Sequence, residues 1–374
     1  MNLALSDEQE LLVDAARDAL SRAPTVAAAR EAHESGTTLP DLWPTAVEAG
    51  WPGLLVAEDR GGAGLGAFDA MLVAQECGRV LAGVPLLGLL PATALLQSAG
   101  DASLEAVAAG ELRPTWLAAR PPGDRVEGWT VEPSAGMRRE RAPRARVSPG
   151  AVVFDGVVPW VPDAPGADLL VAVGVTEDGV PVAGTVEAGS AGIERVVRYD
   201  ATRSLGHVTL DGAEGRRLRD VEPVQLERAW YLAQALLAAE ALGTVETVLA
   251  MAVQYAKERF TFGRAIGSYQ AIKHGLTEIL RRRENARSLL FYAGWAFESR
   301  PEELAIAASA ARSAADAALD YATRQNIVTH GGIGATWEHD APLYFRRAQL
   351  SRRLLGGTGD ATDRVASELL RAAA

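Results

Sequence analysis

The 374-residue sequence contains a single cysteine, Cys77. One thiol forms no disulfide within a chain and cannot build a metal site from several cysteine ligands. The five histidines are scattered along the sequence without the spacing of metal ligands, so we expect no metal. A chain without disulfides fits a reducing compartment, and we expect a cytoplasmic location.

Positive charge is also scarce. The formal net charge is −11 and the pI is about 5.1. An acidic chain without an extended basic cluster binds nucleic acid poorly, because that affinity comes largely from Lys and Arg contacts with phosphates. The run of three arginines at 281–283 is short, and a solvated helix face explains it equally well. We therefore expect no nucleic-acid partner.

Two parts of the chain, the N-terminus and residues 80–100, could carry an apolar run that enters a membrane, but neither contains an unbroken one. The acidic N-terminus lacks the pattern of a secretory signal peptide. Residues 80–100 are uncharged, but Pro85 and Pro91 interrupt them. We predict a pair of short buried helices joined by a turn there, and no membrane span.

The remaining pattern divides the chain into three regions. Apolar residues make up 48% and charged residues 23%, which is typical of a soluble globular protein. Both ends show helical periodicity, whereas the middle contains short apolar runs between Gly, Pro and Asp. We predict an α+β fold that is mostly α. Its parts are a helical N-terminal domain (1–115), a small β-sheet or β-barrel middle domain (116–219) and a C-terminal four-helix bundle (220–374).

In the middle region, two Asp-Gly pairs and an arginine-rich segment predict where strands end and where a loop lies. Asp155-Gly156 follows a Val-rich run and predicts a hairpin turn between two strands. Asp211-Gly212 predicts the end of a later strand. Residues 134–148 are rich in Arg and poor in apolar residues, so we predict a loop.

The junction between the first two long C-terminal helices carries the clearest functional pattern. Arg259, Phe262 and Gly263 lie in the junction, and Gln270 begins the next helix. An arginine, an aromatic ring and a glycine provide a cation, a stacking surface and close backbone approach for a pyrophosphate-bearing cofactor. An ordinary helical hairpin with one exposed arginine explains the same spacing, so these residues alone leave both interpretations open.

Three motifs in order make the chain resemble the acyl-CoA dehydrogenase family over nearly its full length. The first block lies within residues 43–79 and contains Gly-Trp-Pro-Gly-Leu and Gln-Glu-Cys-Gly-Arg. Residues 257–274 resemble the family's signature ER-x-x-FG-x-x-I…FQ, and residues 330–339 resemble its Gly-Gly-x-Gly signature. Each motif is moderately specific, and their combination around a β-rich middle is highly specific.

The resemblance implies a fold, a cofactor and a reaction in lipid metabolism. Members combine a helical N-terminal domain, a β middle domain and a four-helix bundle, and assemble as tetramers. They bind FAD and acyl-CoA thioesters. A carboxylate base removes the proton α to the thioester carbonyl, and the flavin takes the β-hydride. Electrons then pass to an acceptor, usually an electron-transfer flavoprotein.

The resemblance also implies roles for individual residues. Arg259, Phe262, Gly263 and Gln270 match positions that reach the pyrophosphate and adenine side of a neighbouring subunit's FAD. Further matching positions contact the ADP portion or flank the isoalloxazine ring: Gly331, Gly332 and Thr358 on the nucleotide side, and Trp160 on the flavin side.

Departures from the family concern the catalytic base. Gly356 occupies the place of the common base, and Ala233 occupies an alternative place on the first long bundle helix. Glu240 lies seven residues after Ala233, on about the same helix face and within an apolar run. It is our candidate base, because an apolar environment raises a carboxyl pKa. A buried structural glutamate paired with an arginine explains the same pattern.

The flavin side departs as well. Pro162 stands where the family has a hydroxyl residue, and Val328 replaces a glutamine. The segment 132–136 resembles a flavin-contacting motif only superficially. This pattern resembles a subgroup of the family, in which some actinobacterial members form α2β2 heterotetramers that act on sterol side-chain or other bulky acyl-CoA thioesters. In that subgroup one subunit carries the base, and the other lacks it and completes the shared FAD site.

Three hypotheses follow from the resemblance. The first is FAD-dependent α,β-dehydrogenation of a bulky acyl-CoA thioester by a homotetramer or a heterotetramer. The second is a catalytically degenerate partner subunit of a heteromeric dehydrogenase. The third is a flavin oxidase or monooxygenase built on the same fold.

Overall fold

The computed structural model describes residues 4–35, 39–119, 142–196 and 200–373. The helices of these ranges are α1 (Asp7–Ser21), α2 (Val26–Ser35), α3 (Trp43–Glu48), α4 (Ala67–Arg79), α5 (Leu86–Ser98), α6 (Leu104–Ala108), α7 (Pro223–Glu258), α8 (Gln270–Ser299), α9 (Leu304–His330), α10 (Ala341–Ser351) and α11 (Gly357–Ala373). The strands are β1 (Pro114–Trp116), β2 (Arg144–Ser148), β3 (Ala151–Pro162), β4 (Leu169–Val175), β5 (Pro181–Glu187), β6 (Gly192–Arg195), β7 (Leu205–Arg217), β8 (Phe260–Thr261) and β9 (Arg264–Ala265). The predicted order of helices, strands and helices is confirmed.

The helix α7 is the axis of the bundle and packs against α4, α8 and α9. Contact with α4 is close because both helices carry a glycine at the crossing. A Cβ added at Gly243 would lie 1.8 Å from the Gln75 carbonyl oxygen, and one at Gly78 would lie 2.0 Å from the Glu240 carbonyl oxygen. Only glycine permits this approach, which places the N-terminal helices against the middle of α7.

The apolar segment 80–100 differs from its prediction. It contains one helix, α5, with Pro91 inside it, rather than two short helices. Nearly every α5 side chain is buried, so packing on all sides outweighs the hydrogen bond that proline removes.

The strands of the middle region close into a ring. The pairings run from β4 through β2, β3, β7 and β5 back to β4, while β1 and β6 attach at the side. The interior is filled by apolar side chains of several strands, among them Val152, Phe154, Leu170, Ala172 and Val208. The predicted small β-barrel is therefore present.

Two local predictions in this barrel are wrong. Asp155-Gly156 is a bulge inside the continuous strand β3 rather than a hairpin turn, and Asp211-Gly212 lies within β7 rather than at its end. The Asp155 carboxylate accepts a hydrogen bond of 2.8 Å from the Gly212 N–H, so the two Asp-Gly pairs join across the strands. The supposed loop 134–148 contains strand β2, and its part before residue 142 lies outside the described residues.

Candidate functional site

The junction between α7 and α8 is a solvent-exposed β-hairpin with a two-residue turn. Arg259 ends α7, and Phe262 and Gly263 form the turn between β8 and β9. Both turn residues have positive φ values, 52° and 78°, as a type I′ turn requires. Phe262 is 96% exposed, so the turn presents an aromatic ring outward. Gln270 begins α8 and is also exposed.

A glycine turn lies at the same end of the bundle. Helix α9 ends at His330, whose ring lies 4.4 Å from that of Tyr255, one helical turn before Arg259. Gly331 has φ 65°, and no described atom lies within 4 Å of a Cβ added at Gly331 or Gly332. The backbone of this turn is therefore open to close approach by a ligand. The predicted Arg259, Phe262 and Gly-Gly residues are thus brought to one end of the molecule.

A hydrogen bond joins the segments that carry the two empty base positions. The Gln234 side chain, adjacent in sequence to Ala233, donates at 2.6 Å to the carbonyl oxygen of Leu355, the residue before Gly356. Ala233 is fully buried. Gly356 has φ 84°, and a Cβ added there would lie 2.2 Å from Asp360 Oδ2. The Asp360 carboxylate therefore fills the space in which a side chain at 356 would begin.

Asp360 is not among the site residues predicted from the sequence. It lies four residues after Gly356, within the first turn of α11, where an acidic residue is ordinary. Its place beside the missing base depends on the left-handed conformation at Gly356, which the sequence alone does not reveal.

Glu240 is buried between two arginines. Its carboxylate pairs with Arg203, and with Arg347 Nη2 at 3.5 Å. Arg347 is 2% exposed and donates 2.8 Å hydrogen bonds to the Thr202 carbonyl and hydroxyl oxygens. Burial, together with the nearby Arg203, lowers the pKa of the Arg347 guanidinium. This geometry matches the structural alternative for Glu240, and its role as a base stays a prediction.

The segment that carries Gly356 is held by buried polar groups of α9. Arg312 donates to the Ser351 carbonyl oxygen at 2.5 Å and pairs with Asp316 at 2.8 Å. The Thr358 hydroxyl donates to Asp316 at 2.8 Å. Thr358 therefore has a partner within the chain, and its predicted contact with the nucleotide stays a prediction.

Trp160, the predicted flavin neighbour, is buried at the end of β3. It is 3% exposed, has φ 59°, and its ring lies edge-on to that of His207 with centroids 4.7 Å apart. Three residues on, the Asp163 carboxylate accepts a hydrogen bond of 2.9 Å from the Gly88 N–H. Burial raises the pKa of Asp163 to about 6. The segment 132–136 lies outside the described residues.

The residues present fit the two ends of an FAD molecule unequally. The nucleotide end fits, because an exposed aromatic ring, an arginine and an open glycine backbone lie at one end of the bundle. The isoalloxazine end fits less well, because Trp160 is buried and Pro162 offers no hydroxyl.

Two further features bear on ligand and membrane binding. Within the described ranges, no group of three or more His, Cys, Asp or Glu residues is arranged to hold a metal ion. Helix α7 is long and apolar enough to cross a membrane by length and composition alone, but 67% of its most apolar window is buried in the protein. The core helix of a soluble protein passes the same test.

Comparisons with known proteins place the fold and site in a family. Models described as "Acyl-CoA dehydrogenase, N-terminal domain" and "Acyl-CoA dehydrogenase, C-terminal domain" match residues 6–107 and 227–370. The acyl-CoA dehydrogenase IpdE2 of Mycolicibacterium smegmatis is 30% identical, with 98% of this chain and 100% of that protein covered. The chain belongs to the acyl-CoA dehydrogenase family, whose members are FAD-dependent oxidoreductases acting on CH–CH donors.

Two other relatives are informative. The acyl-CoA dehydrogenase FadE34 of Mycobacterium tuberculosis is 33% identical, and the match covers 96% of this chain but 47% of that protein. A solved structure of a variant of the Tcur3481-Tcur3483 steroid acyl-CoA dehydrogenase superposes with a TM-score of 0.85 at 26% identity, covering 98% of this chain and 99% of that chain. The predicted family, fold and cofactor class are confirmed.

Proposed function

We propose that this chain is the subunit of a heteromeric acyl-CoA dehydrogenase that completes the nucleotide end of an FAD site, while a paralogous subunit supplies the catalytic base. One observation carries the proposal. The surface that fits the nucleotide is open, whereas both base positions lack a carboxylate and are closed by the chain's own packing.

At the nucleotide end, each side chain has a defined task. Arg259 holds the negative charge of the pyrophosphate, and Phe262 offers a ring on which adenine stacks. Gly331 and Gly332 let the backbone approach the ADP portion closely, because they carry no side chain. Bound FAD supplies the acceptor for the hydride removed from the acyl β-carbon.

At the base end, the structure favours a partner's carboxylate. Ala233 and Gly356 carry no proton acceptor, and Glu240 is bound by two guanidinium groups in a buried site. Removing a proton there would require breaking ion pairs that hold α7 to α10 and to the segment around Arg203. This engagement favours a structural role for Glu240.

The exposed hairpin supports an assembly. A ring that is 96% exposed at the tip of a turn gains by packing against another surface. The name Tcur3481-Tcur3483 joins two proteins, and FadE34 is about twice the length of the stretch that matches this chain. We infer a tetramer that pairs this chain with a paralogous subunit.

The substrate class follows the relatives. The Tcur3481-Tcur3483 enzyme is named a steroid dehydrogenase, and we infer a bulky acyl-CoA thioester as the substrate. We also infer an electron-transfer flavoprotein as electron acceptor and a cytoplasmic location.

A second candidate function is self-sufficient dehydrogenation with Asp360 as the base. One observation favours it, namely the 2.2 Å distance from Asp360 Oδ2 to the Cβ position at Gly356. In that case a homotetramer would oxidise acyl-CoA without a paralogous subunit.

The deciding experiment compares this chain alone with the complex formed by co-expression with its paralogue. We expect little flavin and no bleaching of the flavin band by acyl-CoA for the chain alone, and both for the complex. Asp360→Asn and Glu240→Gln should leave turnover by the assembled complex largely intact. Loss of turnover in Asp360→Asn, with flavin retained, would instead establish the second candidate.

A further inference from the structure

The segment 336–340, which joins the Gly-Gly turn to α10, is held by the N-terminal helix α2. Arg30 reaches it from α2 with two nitrogens of one guanidinium. Nη1 donates to the Trp337 carbonyl oxygen and Nη2 pairs with the Asp340 carboxylate. A planar fork that binds two acceptors at once fixes position and orientation together.

The Trp337 ring is held by a second residue of α2 and by one of α10. Its centroid lies 3.6 Å from that of His33, with 37° between the ring planes, and the Arg346 guanidinium lies 4.5 Å from the Trp337 centroid. Arg346 Nη1 also lies 3.2 Å from His33 Nδ1. A guanidinium only donates, so Nδ1 accepts and the proton of the neutral ring is on Nε2. We call Arg30, His33, Trp337, Asp340 and Arg346 the Trp337 clamp.

The glycine turn begins a 3-10 helix, Gly331–Ala335, in which Gly334 is buried while Gly331 and Gly332 are exposed. Gly331 and Gly332 have the widest backbone freedom of any residue, and no described atom packs where their side chains would be. One end is fixed by His330, whose Nδ1 lies 2.8 Å from the Asn326 carbonyl oxygen within α9. The other end runs directly into the Trp337 clamp.

We propose that Arg30 and His33 are positioning residues for flavin binding, which hold the Gly331–Gly332 turn in the conformation that receives the nucleotide. The inference rests on the proposed function, because it assumes that this turn contacts FAD. Arg30 and His33 lie about 300 residues before the Gly331–Gly332 turn in the sequence. Through the clamp, the N-terminal helical region sets the geometry of the cofactor site.

The experiment uses the flavin complex and three variants. Arg30→Ala removes both fork contacts, Trp337→Ala removes the ring stack, and Trp337→Phe restores a ring for His33 and Arg346. The matched control is Arg22→Ala, which removes an exposed arginine that directly follows α1 and pairs with Asp18. The first readout is the FAD dissociation constant, measured by flavin fluorescence. The second is hydrogen exchange of the amides 331–338 in the flavin-free chain.

We expect Arg30→Ala and Trp337→Ala to raise the FAD dissociation constant about tenfold, as the loss of a charge-assisted contact or of a ring stack with a cation implies. Both should also speed exchange at 331–338. Trp337→Phe should recover most of the affinity, and Arg22→Ala should match the wild type.

Two results would overturn the inference, and they are distinguishable. If the wild-type complex binds FAD and both alanine variants bind it equally well, the clamp does not position the turn, whatever their melting temperatures. The second result is faster exchange at 331–338 in those variants together with a wild-type complex that binds no FAD. In that case the clamp holds the turn, but the proposed flavin function is wrong, and so is the role of Arg30 and His33 in flavin binding.

Discussion

Glu240→Gln tests whether the buried carboxylate of α7 is a structural ion. The substitution keeps the shape of the side chain and removes its charge. Arg203 and Arg347 would then face each other with side chains 7% and 2% exposed and without the carboxylate that both contact. Removing one partner of a buried ion pair leaves an uncompensated charge and costs about 3–5 kcal/mol.

That free energy converts into a measurable shift. For a chain of 374 residues the entropy of unfolding is about 0.8 kcal/mol/K, so the melting temperature should fall by roughly 4–6 °C if the chain unfolds as one unit. Differential scanning calorimetry of the flavin-free protein measures it without the influence of bound cofactor.

The matched control is Glu246→Gln on the same helix. Glu246 also pairs with an arginine, Arg79, but its side chain is 34% exposed. We expect a shift smaller than half that of Glu240→Gln, because water screens a partly exposed pair. Equal and small shifts for both variants would refute the structural role of Glu240. Full stability together with loss of turnover in Glu240→Gln would restore it as the base.

Three other changes have defined outcomes. Phe262→Ala should leave the melting temperature unchanged and reduce the flavin retained by the complex. The control Leu11→Ala, at a residue of α1 that is 69% exposed, should change neither quantity. Equal flavin content in the two variants would exclude Phe262 from the site. Gly356→Glu should gain no activity and should lower the melting temperature. A residue with a side chain is destabilised by about 1–3 kcal/mol at a left-handed φ of 84°, and its Cβ would collide with Asp360. An active variant would show that the base position is open. Burial raises the pKa of Asp163 to about 6, so the folded protein holds a proton that the unfolded chain releases, and stability falls as the pH rises from about 4 through 6. Asp163→Asn should therefore raise the free energy of unfolding at about pH 8 by roughly 1–3 kcal/mol and change it little near pH 4; the same gain at both pH values would contradict this.

The long helices could be predicted from the sequence because their information is local. The helical periodicity of the C-terminal region predicted a bundle of long helices, and the first of them, α7, spans Pro223–Glu258. The helix junction that holds Phe262 and Gly263 was predicted for the same reason, and both residues lie in the turn between α7 and α8 with positive φ values.

Features decided by pairing across the chain could not be predicted in the same way. Asp155-Gly156 has the composition of a hairpin turn, but a facing bulge in β7 makes it part of a continuous strand. The partner of Glu240 is Arg203, 37 residues earlier in another region of the fold. No local pattern connects these residues, and the same is true of Arg30 and Trp337.

At the base site, one feature could be predicted from the local sequence and another, a few residues away, could not. The absence of a carboxylate at Ala233 and Gly356 could be seen directly in the sequence. The presence of Asp360 beside Gly356 could not, because it depends on a left-handed glycine that turns the chain into α11.

The ratio of bound FAD to protein chains is the most direct test of a subunit that completes a flavin site without supplying a base. The measurement is the flavin absorbance of the purified, catalytically active complex, divided by the quantity of each chain from amino-acid analysis. We predict about one FAD for each pair of this chain and its paralogue, and almost none for this chain alone. One FAD for every copy of this chain, in a homomeric protein that oxidises acyl-CoA, would contradict the proposal.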